Sequence, residues 1–76
     1  MKNFDHSVDA RGLNCPLPIL AIRRTLKDMR TGEVVQLLAT DPGSTDDIAA
    51  FCGQTGNSLL SSEEQGGEYL FMVRKN

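Results

Sequence analysis

Polar and apolar positions alternate at the start of the chain. Phe4, His6 and Val8 are separated by Asp5, Ser7 and Asp9, and this period of two predicts a short half-buried strand. Arg11 to Asn14 reads as a loop. From about Pro16 to Arg30 the period changes. Ile19, Ile22, Leu26 and Met29 recur at the spacing of one helix face, and Arg23, Arg24, Lys27 and Arg30 fall on the other. Gly32 is the expected C-cap, and the basic last turn suits the helix dipole. The run VVQLLAT, Val34 to Thr40, is apolar and rich in β formers, which predicts a central strand. DPGS is turn chemistry. STDDIAAFCGQTG then opens with Ser44 three residues before Asp47, a start resembling a capping box, with acids in the first turn. Ile48, Phe51 and Cys52 form its core-facing stripe, and Gly56 is its natural C-cap. Strands around Ser58 to Glu63 and Glu68 to Arg74 follow, joined by a turn containing Gly66-Gly67, a hairpin signal.

The order is βαβαββ. Two helices cannot cover both faces of a four-stranded sheet well. The expected fold is therefore α+β, a two-layer α/β sandwich with both helices on one face. The βαβ connection makes its paired strands parallel. The closing hairpin adds antiparallel pairing, so the sheet is mixed.

Size limits how this fold is stabilised. The 76 residues are read as one domain, 1–76. A chain of this length buries only about 60% of the surface its unfolded form exposes. Two cysteines and one histidine are too few for a four-ligand structural zinc site, so no metal or cofactor is expected. A Cys15–Cys52 disulfide stays open, but one pair is not a disulfide framework. The formal net charge of −2 argues against a high-affinity nucleic-acid binder. The opening MKNFDHSVDA has no apolar run, so no signal peptide is expected. No stretch approaches the ~20 apolar residues that span a bilayer. The expected setting is the cytoplasm, where thiols stay reduced.

The chemistry centres on Cys15, followed by Pro16 and Pro18. Proline fits the first helical position because its missing N–H has no helical partner there. On that register Cys15 is the N-cap, Pro16 is N1 and Pro18 is N3. Proline also keeps the residue before it out of the α region. That suits an N-cap at Cys15 but distorts the first turn at Leu17. The helix dipole and the Leu17 amide both favour the thiolate. The prolines remove two first-turn donors, so the expected depression of the thiol pKa is modest. Acyl transfer would need a base and an orienting group. The only histidine, His6, lies in the first strand with no catalytic duty expected. A thioredoxin-like protein would need Cys-x-x-Cys, and here Pro18 holds the second cysteine's place. What remains is a thiol that carries something: a persulfide, a mixed disulfide or an oxidation mark. The loop before a helix places Cys15 at the surface, whereas Cys52 beside Phe51 belongs to the core.

With these residues in view, DARGLNCPLPIL resembles the Cys-Pro-x-Pro signature of the TusA (SirA-like) small sulfur-carrier family. TGEVVQLLATDPGSTDDIAAFCGQTGNSLL and GGEYLFMVRK look like the family's later segments, so the likeness runs from Val8 to Lys75. It implies a two-layer sandwich like the C-terminal domain of a translation initiation factor. It implies a sulfurtransferase acting as a carrier through a cysteine persulfide. Sulfane sulfur would come from a cysteine desulfurase or a rhodanese-like donor and pass to an acceptor protein. The pathways served by the family include tRNA 2-thiouridine formation, molybdenum-cofactor supply and dissimilatory sulfur trafficking. Cys15 matches the sulfur-carrying cysteine, and Pro16 and Pro18 match the framing prolines. Leu17 departs from the acidic residue that some members have between the prolines.

Other features stay open at this level. Arg11, four residues before Cys15, is a candidate contact for a persulfide anion; an ordinary loop charge explains it equally. Arg23, Arg24, Lys27 and Arg30 are candidate contacts for an acidic partner, against the simpler reading of a solvated face. Asp46 and Asp47 read as helix-start charges, and Phe71 and Met72 as residues of an edge or core strand. Two other functions are weighed: an RNA-binding or regulatory adaptor using the basic helix face, and a redox sensor pairing Cys15 with Cys52. A monomer is expected for a carrier that presents its thiol to several partners.

Overall fold

The structure, a computed structural model, describes residues 3–76. Met1 and Lys2, at the head of the expected domain and of the segment read for a leader, lie outside the described residues. Six elements follow in the expected order: β1 His6–Ala10, α1 Leu17–Asp28, β2 Val34–Ala39, α2 Ser44–Thr55, β3 Ser58–Gln65 and β4 Glu68–Arg74. The sheet runs β1-β2-β4-β3. β1 is parallel to β2, with Ala10 opposite Ala39, and β4 is antiparallel to both β2 and β3. The last strand in sequence thus occupies an inner place, which alternation alone could not reveal. Gly66 and Gly67 both have positive φ, 60° and 83°, as a two-residue hairpin turn requires.

One layer of side chains joins sheet to helices. Val35, Leu37 and Ala39 of β2 and Phe71 and Val73 of β4 are buried on the helix side, with Ala10 of β1. Against them pack Ile22 and Leu26 of α1, Met29 just beyond it, and Ile48, Phe51 and Cys52 of α2. The fold is the mixed-sheet, two-layer α+β sandwich that the pattern predicts. The other face of β2 carries half-buried Val34, Gln36 and Leu38, so VVQLLAT is covered by helices on one side only.

The helix ends differ from expectation, each for a local reason. α1 begins one residue late: Pro16 is the N-cap and Pro18 stands at N2. The Leu17 N–H donates to the Asn14 carbonyl at 2.8 Å across a cis Cys15–Pro16 peptide, a turn with cis-proline at its third residue. Neither proline removes a helical hydrogen bond, since both remain among the positions without an N–H partner. At its other end α1 stops at Asp28 with Met29 as C-cap, short of Arg30 and Gly32. The Lys75 ammonium donates to the carbonyls of Leu26 and Met29, both at 2.7 Å, and closes the helix from the far end of the chain. Gly32, at φ 93°, instead turns the following loop and donates its N–H to the Lys75 carbonyl at 2.7 Å. Lys75→Met keeps an apolar stem but leaves both carbonyls without the charged donor. It is expected to cost about 2 kcal/mol, read as a lower urea midpoint with an unchanged m-value.

α2 also departs from its expected start. Gly43 is the N-cap, Ser44 is the first helical residue, and no side chain caps the helix. Asp41 accounts for the shift. Its carboxylate accepts the Gly43 N–H at 3.1 Å and its carbonyl accepts the Ser44 N–H at 3.0 Å, so the Asp-Pro-Gly turn itself starts the helix. The end matches expectation, with Gly56 at φ 76° donating to the Cys52 carbonyl.

Candidate functional site

The parallel pair β1 and β2 sets the site. Both strands point the same way, so the loop leading into α1 and the loop leading into α2 emerge side by side at their carboxyl ends. Open sheets often place ligand-handling groups there. The first loop turns at Gly12, whose φ of 82° favours glycine. The Gly12 N–H donates to the Thr40 hydroxyl at 2.8 Å, which ties this loop to the end of β2. Cys15 lies exposed on it.

The thiol's surroundings reverse the expected electrostatics. The Leu17 amide that was to face the sulfur is engaged by Asn14. The groups that act on the thiol are acids, Asp47 from the first turn of α2 and Asp41 before it. The thiol pKa is raised, chiefly by its hydrogen bond to Asp47, then by desolvation and by the charges of Asp47 and Asp41. A thiolate beside two carboxylates is disfavoured, and this outweighs the helix start. The expected depression of the pKa is therefore overturned.

Three exposed leucines lie close to Cys15 in sequence. Leu13, Leu17 and Leu20 are 37%, 47% and 48% exposed. The sequence carried this signal in part: Leu20 falls off the Ile19, Ile22, Leu26 stripe, so no core position claims it. Arg23, Arg24 and Lys27 are also exposed on α1. Among the described residues none of them is in an ion pair. The Arg23 guanidinium lies 5.6 Å from the Phe51 ring centre, within cation–π range. Pro18 is buried and Pro16 exposed.

Arg11 is placed differently from the rest. Its guanidinium makes two 2.9 Å hydrogen bonds to the two carboxylate oxygens of Asp9 and lies 3.5 Å from Glu68. The pair holds the Asp9 carboxyl down at about 2 and pushes the Arg11 pKa upward. Arg11 is thus paired with neighbouring acids. His6 is likewise engaged, its Nε2 3.1 Å from Glu33. The two cysteines are unpaired. Cys52 is 4% exposed in the core, where burial pushes its thiol pKa up.

Comparison with known proteins decides the family. The family model described as Sulfurtransferase TusA matches residues 6–75. The chain belongs to the TusA family. Among TusA proteins, it is 51% identical to the sulfur carrier protein TusA of Allochromatium vinosum over the full length of both chains. Its fold is similar to the crystal structure of a SirA-like protein from Desulfitobacterium hafniense. That likeness has a TM-score of 0.83 at 21% identity, over 92% of this chain and 96% of that one. For this TusA chain, a role in sulfur transfer follows from the family, and the donors and acceptors are partner proteins in general. No helix among the described residues is long and apolar enough to cross a membrane.

Proposed function

We propose that this chain, as one domain spanning residues 1–76, accepts sulfane sulfur on Cys15 from a cysteine desulfurase or rhodanese-like donor and relays it to an acceptor protein. The acceptor pathway would be tRNA 2-thiouridine synthesis, molybdenum-cofactor supply or dissimilatory sulfur trafficking. The observation that carries the reading is the exposed Cys15, alone at its end of the sheet, within the matched region 6–75. The Cys15 sulfur attacks the outer sulfur of the donor's persulfide. A new S–S bond forms at Cys15, the donor's S–S bond breaks, and the donor cysteine leaves as a thiolate that recovers a proton. No net oxidation takes place, so the carrier needs no cofactor of its own. Return of the same sulfur to an acceptor thiol repeats the step in the opposite role.

On this reading Leu13, Leu17 and Leu20 dock the partner around the sulfur, and Arg23, Arg24 and Lys27 complement acids on its rim. Pro16 and Pro18 support the turn. Arg11, already paired, is left to that pairing. The carrier is taken to work as a cytoplasmic monomer, without a membrane or a high-affinity nucleic-acid partner. Mass spectrometry tests the reading. Incubation with a cysteine desulfurase and free cysteine should add one sulfur atom to most of the protein, and a thiol reductant should remove it. No added mass over many donor turnovers would reject the reading.

A further inference from the structure

The two helices cover one face of the sheet and leave the other open. Leu37 and Phe71 point into the helix layer, so their neighbours Leu38 and Leu70 point to the open face. There the register sets a row across all four strands: Asp9 of β1, Leu38 of β2, Leu70 of β4 and Glu63 of β3. The two leucines are half-buried and the two acids exposed. Toward the hairpin turn, Gln65 and Glu68 form the next pair on this face. Leu38, Leu70, Glu63, Gln65 and Glu68 line a cavity of about 230 Å³. It is smaller than the ~300–1,000 Å³ of pockets for drug-sized ligands and suits one long side chain. Its floor is apolar, and two carboxylates stand around it. Among the described residues Glu63 is in no ion pair. The chain's own Arg11 shows which cation this face accepts. Its guanidinium makes two 2.9 Å hydrogen bonds to Asp9 and lies 3.5 Å from Glu68. Because β2 lies between β1 and β4, that guanidinium bridges acids across the strand of Leu38.

From this geometry we infer that the cavity beside Glu63 and Glu68 takes an arginine side chain presented by a protein partner. Charge complementarity selects a cation and rejects a phosphate or a nucleic acid. The leucine floor covers the apolar stem of a long basic side chain, whose charged head stays at the acids. A guanidinium serves two carboxylates at once through its planar fork, whereas an ammonium is a point charge. Arg11 already bridges Asp9 and Glu68 in this way, and Glu63 is the acceptor left over. Beyond the cavity the same face continues through half-buried Gln36 and Met72, which pair across β2 and β4. A protein surface can cover that area, and a small free guanidine cannot. The site lies on the face away from α1. A partner seated there meets an acidic surface, opposite in charge to the Arg23, Arg24 and Lys27 face. The two faces therefore select different groups on what they bind. The inference concerns this surface alone and does not depend on the role of Cys15.

The test is an NMR titration of the full 15N-labelled chain with N-acetyl-arginine methylamide, which presents arginine as it stands in a protein. The amide signals of Leu38, Glu63 and Leu70 should move and saturate, with a Kd on the order of 1–10 mM for so small a probe. The citrulline derivative has the same shape without the charge, and the lysine derivative has the charge without the fork. Both should bind severalfold more weakly. Glu63→Gln should weaken arginine binding severalfold. Glu64→Gln removes the same charge from the next residue, which points to the other side of β3, and should leave binding unchanged. The absence of saturable shifts at these amides would overturn the inference. So would citrulline or lysine binding as tightly as arginine. An equal loss in Glu64→Gln would also overturn it, since the effect would then be one of general field. The dispersed amide spectrum of each variant shows in the same experiment that it is folded. No sulfur donor takes part, so the outcome is distinct from that of the loading experiment.

Discussion

Phe71→Ala should cost about 3–5 kcal/mol, the range for emptying a buried aromatic site. Phe71 is fully buried on β4, an inner strand paired to β2 at Leu37 and to β3 at Ser62. Its ring lies parallel to that of Tyr69, with centres 6.5 Å apart and 4° between planes. It therefore contributes to the joint between the two halves of the sheet as well as to the helix layer. For 76 residues, typical per-residue stability gives a total of roughly 4–11 kcal/mol. The variant is expected to be largely unfolded, or to unfold at a small fraction of the wild-type urea midpoint. A loss below about 1 kcal/mol would mean that the core does not close on β4 as described.

Much of this fold is legible in the sequence because its signals are local. The Ile22, Leu26, Met29 stripe marks a helix face before any partner is known, and all three are buried. Gly56 and the Gly66-Gly67 pair have the positive φ that their positions demanded. Cys52 on an apolar stripe is buried, and Cys15 on a loop is exposed. The features that were not legible depend on groups distant in sequence or on competing turns. α1 ends early because Lys75 reaches its last carbonyls. α2 has Gly43 rather than Ser44 as its N-cap because Asp41 accepts the N–H groups of Gly43 and Ser44. Ser44 is instead buried with its hydroxyl unpartnered, and the structure gives no reason for a serine there.

The same division holds at the candidate site. The thiol and its prolines could be read from five consecutive residues. The sign of its pKa could not, because that depends on Asp47, thirty-odd positions away, and on a Leu17 amide already engaged by Asn14. Arg11 is open to an anion in the sequence because its distant acid, Glu68, becomes a neighbour only once β1 and β4 lie in one sheet, although Asp9 stands two residues away. That Leu13, Leu17 and Leu20 are left exposed needed the fold to show.

The second large effect is expected at the sulfur itself. Cys15→Ser replaces the thiol by a hydroxyl, which is no nucleophile toward a persulfide at neutral pH, so loading should fall by more than about a hundredfold. The exchanged atom is small and Cys15 is exposed, so the fold should be unaffected. Cys52→Ser places a hydroxyl in the core and should lower stability by about 1–3 kcal/mol through an unpaired polar group. It should still load sulfur while folded, because the buried Cys52 thiol is out of a donor's reach. The most direct measurement is therefore the intact mass of the wild type, Cys15→Ser and Cys52→Ser after incubation with a cysteine desulfurase and cysteine. The account predicts one added sulfur in the wild type and in Cys52→Ser, and none in Cys15→Ser. Retention of the added sulfur by Cys15→Ser would contradict it.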